Sequence, residues 1–402
     1  MRIKKTYCIF VHAEHINQIL TSLNFLIKNM CKSFDNFYVI NVNYLKFFPP
    51  KNSNFNIGKK IRYPKNLKFL NPKNFSELNK FCENKKIIAI SNINRNFNDI
   101  KIHLLLNKLN IRQVIVSNFG HIQGPGAFSS AKGFLKDFFF KKFPQRLVIL
   151  LSIFNLVPKV DIRFESRRDK FNWGNKNIYD YIGKVIPFFE LKYTKKFIRI
   201  NSLIYDFKQS NPKKNISSQY IVLVDTNINH KDAVRSQGKI GKKKIKVSYK
   251  KVNIFLDELS RLYKKKIVVC IHPSCNLEEI KSYLNKNILV KKYQTQKYIF
   301  KAFIVVFYDS TAITDAIFLK KKIISLQNHY MGQIRVKDVQ QYPKKVGIRK
   351  FVLDKDKISN KKEFLEDLNN RVRFYDKYIR DNLSTKDNTT GMDKVISIMK
   401  KL

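Results

Sequence analysis

Two turns in this chain carry residues suited to handling phosphate. His272-Pro273 follows the apolar run VVCI, and Asp309-Ser310-Thr311 follows FIVVFY. Hydroxyls and backbone N–H groups at the start of a helix donate to phosphate oxygens, and the helix N-terminus adds partial positive charge. A histidine at a strand end can hydrogen-bond a phosphate oxygen or protonate a leaving group. Asp315 stands five residues after Ser310, where a carboxylate can accept from ribose hydroxyls. Read singly, Ser310 is an N-cap, Asp315 is an acid that suits the first turns of a helix, and Pro273 is a turn former. Read together, at the carboxyl ends of neighbouring parallel strands, they would line a nucleotide crevice.

The elements that must position these residues are legible as an alternation. In the first half, 7–11, 37–42, 87–91 and 114–117 are predicted strands, with helices over 16–30, 76–84 and 98–109 between them. Residues 209–218 (QSNPKKNISS) are polar and contain proline, the composition of a linker. A second alternation follows: strand 220–225, helix 251–263, strand 267–272, helix 277–284, strand 304–308, helix 311–319 and strand 323–326, with a long helix over 361–378. Strands alternating with helices predict two Rossmann-like α/β domains built on parallel sheets that face a central cleft. The expected division is an N-terminal domain over 1–208, a donor domain over 219–355 and a C-terminal helical segment over 356–402. No GxGxxG is present in the first half, so dinucleotide redox chemistry has no support.

Charge sets a second constraint. The 402 residues hold 79 Lys and Arg against 30 Asp and Glu, a net charge of +49. Such an excess suits a polyanion or an acidic membrane surface, but a Lys-, Asn-, Ile- and Phe-rich composition shaped by an A/T-rich genome would also produce it. Lys264–Lys266 and Lys320–Lys322 each end a helical pattern, where lysine complements the helix dipole without any partner. The stretch over 128–170 is rich in Phe and Leu and carries Lys141, Lys142 and Arg146, the composition of a segment lying on a membrane. A buried helix pair with a basic face would read the same way. Its longest apolar run, 147–157, is too short to span a bilayer, which needs about 20 residues. Five cysteines without framework spacing predict reduced thiols in a cytoplasmic protein. Neither Cys270-x-His272-x-x-Cys275 nor His12-x-x-His15 has a second ligand pair at zinc spacing, so no metal is expected.

With these residues in view, the second half resembles the donor half of GT-B glycosyltransferases and the related UDP-N-acetylglucosamine 2-epimerases. In those proteins a D-S-G-G-x-x-E-like turn opens a helix and a G-K-P strand follows. The matching run here is Asp309 to Asp315 and then Lys321-Lys322-Ile323, without the glycines and the proline. It is also similar to bacterial sialyltransferases and polysialyltransferases, where an H-P pair and a Ser/Thr pair bind the phosphate of a CMP-sugar. A closer likeness is to bacterial surface-carbohydrate biosynthesis proteins. Its elements read Ile204-Tyr205-Asp206, Val222 to Asp225 followed by His230 and Asp232, His272-Pro273, and Ser310-Thr311-Ala312-Ile313, spanning 201–326.

The resemblance implies metal-independent glycosyl transfer from a CMP- or UDP-sugar to a surface polysaccharide or lipid-linked saccharide. The nucleotide sugar is a substrate, and no cofactor is expected. His272, Pro273, Ser310, Thr311, Asp315 and Asp225 would hold the donor, and His272 would also assist the leaving phosphate. The base that activates the acceptor would come from the first domain. His121 in SNFGHIQGPG and Glu14 or His15 after the first strand are the candidates. The expected place is cytoplasmic, peripheral at the inner membrane face. Two alternatives stand beside this reading: a nucleotide-sugar epimerase, and a non-enzymatic nucleic-acid-binding protein, although neither an RNP1 nor a KH pattern is present.

Overall fold

The computed structural model describes residues 4–11, 24–46, 64–93, 99–117, 159–166, 194–202, 205–206, 218–226, 228–229, 239–272, 275–308, 310, 312–331, 346–385 and 388–402, with isolated positions at 151, 154, 156, 157, 234 and 343. The chain divides into two compact units. One comprises 1–119, 135–210 and 384–402, and the other 120–134 and 211–383.

The first unit is a seven-stranded parallel sheet in the order β3-β2-β1-β4-β5-β6-β7. Its strands are β1 (Lys4–Val11), β2 (Phe37–Asn41), β3 (Leu67–Leu70), β4 (Lys85–Asn92), β5 (Arg112–Ser117), β6 (Val160–Glu165) and β7 (Thr194–Arg199). Helices α1 (Asn24–Ser33), α2 (Phe75–Cys82) and α3 (Ile100–Lys108) cover its faces. Ile9, Val39 and Ile90 join α1 on one face, and Cys8, Ile40 and Ala89 join α2 and α3 on the other. Strands covered on both sides read as unbroken apolar runs, which is why β1, β2, β4 and β5 were legible in the sequence.

The second unit is a six-stranded parallel sheet in the order β10-β9-β8-β11-β12-β13. It is built from β8 (Tyr220–Val224), α4 (Lys242–Tyr263), β9 (Lys266–Ile271), α5 (Leu277–Tyr283), β10 (Leu289–Lys292), α6 (Thr295–Phe300), β11 (Ala302–Phe307), α7 (Ile313–Phe318), β12 (Lys322–Gln327) and β13 (Arg349–Val352). Helices α8 (Lys361–Val372) and α9 (Tyr375–Asn382) complete it. Asparagine caps recur: Asn276 accepts from the Glu278 and Glu279 amides, and Asn360 from those of Lys362 and Glu363. Each satisfies N–H groups that a helix start leaves unpaired.

The sequence reading passed over five strands: β3, β6, β7, β10 and β13. Four of them are the outer strands of their sheets. LKFL, TKKFIR, LVKK and RKFV each mix lysine or arginine with apolar residues. Basic side chains on outer strands discourage pairing with another chain, and they also erase the apolar run. The expected long helix over 361–378 is instead two helices. The chain turns at Arg373-Phe374, and Tyr375 then enters the core fully buried. Helix α4 starts at Lys242 rather than at residue 251, because its first turns are lysine-rich and exposed and show no apolar stripe.

The sequence reading set 356–402 apart as one helical segment. In the structure α8 and α9 cluster with the second unit, and 384–402 with the first. The last helix, α10 (Gly391–Lys401), buries Met392, Val395 and Met399 in the same core as Leu26, Ile27 and Met30 of α1. Asp206 holds its start. Its two carboxylate oxygens accept from the amides of Gly391 (2.7 Å) and Met392 (2.6 Å). Asn201 accepts from the Thr385 amide and donates to the Thr389 carbonyl.

Candidate functional site

In the second sheet β8 lies at the centre. The chain leaves it to build β9 and β10 on one side, then returns to build β11, β12 and β13 on the other. The gap between β8 and β11 is therefore a topological switch point, where α/β sheets open a crevice at the carboxyl ends of their strands. Val224 pairs with Phe307 across it, so Asp225 on one strand end faces Tyr308 and the Ser310 turn on the other. His272 follows β9, on the far side of β8. This corrects one expectation. The His272 and Ser310 turns do not end neighbouring strands, because β8 stands between them and sets them about 10 Å apart at the sheet edge.

Ser310 is half-buried at the opening of α7. Its Oγ accepts weakly from the Ala312 amide (3.3 Å), and its carbonyl accepts from the Ile313 amide. A hydroxyl used in this way as an acceptor keeps its proton for donation to a ligand oxygen. Helix α7 spans only six residues, shorter than the expected 311–319, because residues 319–320 already turn. Its dipole is correspondingly small and would add little to holding an anion at this turn.

Asp315 lies on α7, where its backbone joins the helix ladder, and its carboxyl makes no hydrogen bond or ion pair among the described residues. Burial raises its carboxyl to about 7. An unpartnered carboxyl near neutrality beside a strand-end turn is a feature found at binding and catalytic sites. One prediction follows from its sign. The folded value exceeds the unfolded one, so Asp315 contributes stability that is fully present below pH 3.8 and lost as pH rises through about 7. Asp315→Asn should therefore be more stable than the parent at pH 8, by about 1–2 kcal/mol after discounting for solvent screening. The gap should close as the pH falls to 4. Denaturant melts of both proteins across this range measure it. A constant difference at every pH would mean that the carboxyl titrates normally.

Asp225 has a different environment. It is buried, its Oδ1 accepts from the Thr226 amide (2.9 Å), and its Oδ2 accepts from the Tyr249 hydroxyl of α4 (2.5 Å). Burial raises it to about 6, against the pull of these two donors. It ties the end of β8 to α4, the work of a positioning residue. Beside it, Asn328 donates to Ser248 Oγ (2.5 Å) and accepts from the Tyr330 amide (3.0 Å), so the ends of β8 and β12 are both laced to α4.

His272 is half-buried, and its carbonyl receives the Cys275 amide (2.9 Å), closing the turn that Pro273 was expected to shape. Cys270 and Cys275 are buried, and burial pushes both thiols up to about 12. Pro273, Thr311 and Asp309 lie outside the described residues, as do Glu14, His15 and His121, the first-domain candidates for the base. His230 and Asp232 also lie outside them. Of the basic stretch 128–170, residues 128–150 and 167–170 lie outside them, Lys141, Lys142 and Arg146 included, whereas 160–165 form β6 within the first sheet.

Two polar groups at this edge escaped the sequence reading. Gln327 ends β12, on the same face as Ile323 and α7, and its buried Nε2 has no partner among the described residues. A buried donor without a partner is rare and suits a ligand oxygen or a water. His329 follows it, exposed, with Nδ1 3.8 Å from Asp354. Neither stands in a recognisable motif. Only the pairing of β12 with β11 brings them to this edge.

This is an α/β protein of two parallel sheets, of the GT-B type. No family profile and no curated protein sequence matches the chain. Among solved structures, the wall teichoic acid polymerase TagF is similar over nearly all of this chain. An H444N variant of TagF aligns at TM-score 0.54 with 11% identity, covering 100% of this chain and 89% of that one. A second TagF structure aligns at 0.51 with 12% identity, covering 99% and 89%. A putative UDP-N-acetylglucosamine 2-epimerase from Listeria monocytogenes aligns at 0.49 with 9% identity, covering 99% and 96%.

Proposed function

We propose that this protein is a glycosyltransferase-like enzyme that binds a nucleotide-linked donor at the carboxyl edge of its second sheet. The observation that carries this reading is the switch point itself. Ser310, the unpaired Asp315 carboxyl and the Gln327 amide all belong to the β11–α7–β12 side of it, and His272 stands one strand beyond β8. Hydroxyl and imidazole suit a phosphate, whereas a carboxyl suits a ribose diol.

In the proposed reaction Ser310 and Thr311 hold the phosphate, and His272 neutralises or protonates it as it departs. Basic side chains would serve where other enzymes place a metal. The acceptor hydroxyl needs a base from the first unit. Glu14 is the first choice, because it follows β1, and β1 and β4 flank the switch point of that sheet. His121 follows β5, one strand further out. The shared fold with a polymerase of wall teichoic acid favours a cell-surface polymer or a lipid-linked saccharide as acceptor, met at the inner face of the membrane. Among the described residues no helix is long and apolar enough to cross a membrane.

The test is thermal stabilisation by CMP, UDP, GDP and CDP and their sugar conjugates. A ligand at 100 times its Kd adds about 2.7 kcal/mol to stability. One nucleotide should raise the melting temperature by several degrees, and Asp315→Asn should reduce the rise. Absence of any shift across the panel would remove the donor assignment. Inversion of a nucleotide sugar without acceptor would select an epimerase instead.

A further inference from the structure

The lysine runs Lys264–Lys266 and Lys320–Lys322 were explained in the sequence as helix ends. The sheet gives them a common address. In a parallel sheet every strand starts at the same edge, so residues that precede the strands are brought side by side. Lys266 pairs with Tyr220 at the starts of β9 and β8, and the carbonyl of Lys301 receives the Gln219 and Tyr220 amides at the start of β11. Lys322 opens β12. The amino edge of the second sheet thus gathers Lys264, Lys265, Lys266, Lys301 and Lys322 opposite the proposed donor crevice, whereas Lys320 pairs with Asp376 (2.7 Å) and Lys321 is buried with its Nζ donating to the Phe300 and Ala302 carbonyls. Adjacent strands are about 4.8 Å apart, so the edge of six strands is about 24 Å long and the lysines from β9 to β12 span about 14 Å of it.

The row has relief and ends. At the starts of β9 and β10 a cleft of ≈ 620 Å³ is lined by Lys264, Lys265, Lys266, Tyr220, Asn287 and Leu289, and no Asp or Glu among the described residues lines it. Lys264 holds a left-handed conformation (φ 52°), which turns the chain sharply into β9. Leu289, at the start of outer strand β10, is 40% exposed. At the other end, a Cβ on Gly347 would meet the Phe374 side chain at 2.9 Å, which places Phe374 beside the start of outer strand β13. Phe374 is 49% exposed, with the Arg373 guanidinium 5.1 Å from its ring centre. Two exposed apolar side chains therefore bracket the lysines.

The other rings at this edge are engaged: Tyr220, half-buried in the cleft, packs edge-on against Tyr298 (5.6 Å). Lys265 and Lys322 lie over Phe303 (5.5 and 4.7 Å), and Lys361 lies over the buried Tyr263 (5.7 Å). Single-stranded nucleic acid needs open aromatic faces beside its cations. A row of cations ending in exposed apolar groups instead matches a bilayer surface, where headgroup phosphates meet the lysines and the apolar tips enter the interface. We propose that the amino edge of the second sheet docks on an anionic phospholipid surface, leaving the carboxyl edge and its donor crevice turned away from the lipid.

The full-length chain is to be sedimented with vesicles of phosphatidylcholine alone and with phosphatidylglycerol at about a third of the lipid, near physiological salt. A basic residue at such a surface contributes about fivefold in affinity. The triple variant Lys264→Glu/Lys266→Glu/Lys301→Glu should bind at least a hundredfold more weakly. Lys243→Glu/Lys244→Glu/Lys246→Glu makes the same change in charge at the exposed start of α4, on the opposite edge, and should lose far less. Phe374→Trp, in a Trp173→Phe background, should be quenched by brominated lipid, whereas Ile254→Trp should not. Equal losses in the two triples would show that net charge alone drives adsorption and would overturn the proposal. So would a loss confined to a Lys141→Glu/Lys142→Glu/Arg146→Glu variant, or amino-edge binding to poly(U) without binding to vesicles. Nucleotide-induced stabilisation should be unchanged in the amino-edge triple, so this test and that of the donor site fail separately.

Discussion

His272→Ala should lower sugar transfer, or slow hydrolysis of the bound donor, by about a hundredfold to a thousandfold, the usual effect of removing a group that stabilises or protonates a leaving group. The protein should stay folded. His272 is half-buried at the end of β9, and the carbonyl that closes its turn is unaffected by the substitution. The structure also separates two kinds of loss. Ser310→Ala removes a hydroxyl that would touch the phosphate in both ground and transition states, so it should mainly raise KM. Loss of His272 should instead fall on kcat, because its proton matters only as the phosphate departs. Steady-state kinetics with the preferred donor distinguish these patterns. Unchanged kcat in His272→Ala would take the histidine out of the chemistry.

Gly391→Ala should be among the most damaging single-methyl changes in the chain. A Cβ there would lie 2.2 Å from the Asn201 carbonyl oxygen, and backbone on both sides leaves little room to yield. We expect a cost of about 2–3 kcal/mol, in the range of overpacked cores. The consequence is local before it is global. Helix α10 should detach, exposing Met392, Val395 and Met399 and opening the core they share with α1. Asp206→Ala should produce the same detachment, because two amides at the start of α10 would lose a charged acceptor. The double variant should cost less than the sum, since both changes break one contact. Limited proteolysis that trims the chain near residue 385, together with a lowered melting temperature, would report it. Wild-type resistance in both variants would show that α10 is held by its apolar face alone. Burial raises the Asp206 carboxyl to about 6, above its unfolded value. Its contribution to stability is therefore greatest in acid and fades as pH rises through 6.

Much of the frame could be read from the residues because buried parallel strands leave an uninterrupted apolar signature. IVVCI, FIVVF and YCIFV announce β9, β11 and β1 without reference to anything distant. Ser310 and Asp315 were likewise readable as a strand-to-helix turn. The outer strands were not, since lysine and arginine break their runs. Gln327 was not readable as a site residue either, because its significance lies in a buried amide left unpaired next to a neighbouring strand. Asp225 was read as a donor ligand on motif likeness. Its contact with Tyr249 depends on how α4 packs on β8, and no local pattern encodes that.

By itself the sequence determined that the chain is an alternating α/β protein with a phosphate-suited turn, because strand burial, helix capping and turn chemistry are properties of neighbouring residues. Tertiary structure alone decided the order of the strands. It inserted β8 between the His272 and Ser310 turns, placed α10 in the first unit, and gathered lysines distant in sequence onto one edge of a sheet. These outcomes depend on which strands pair and which way each crossover turns. That choice is made by long-range packing, and a linear pattern of side chains leaves it open.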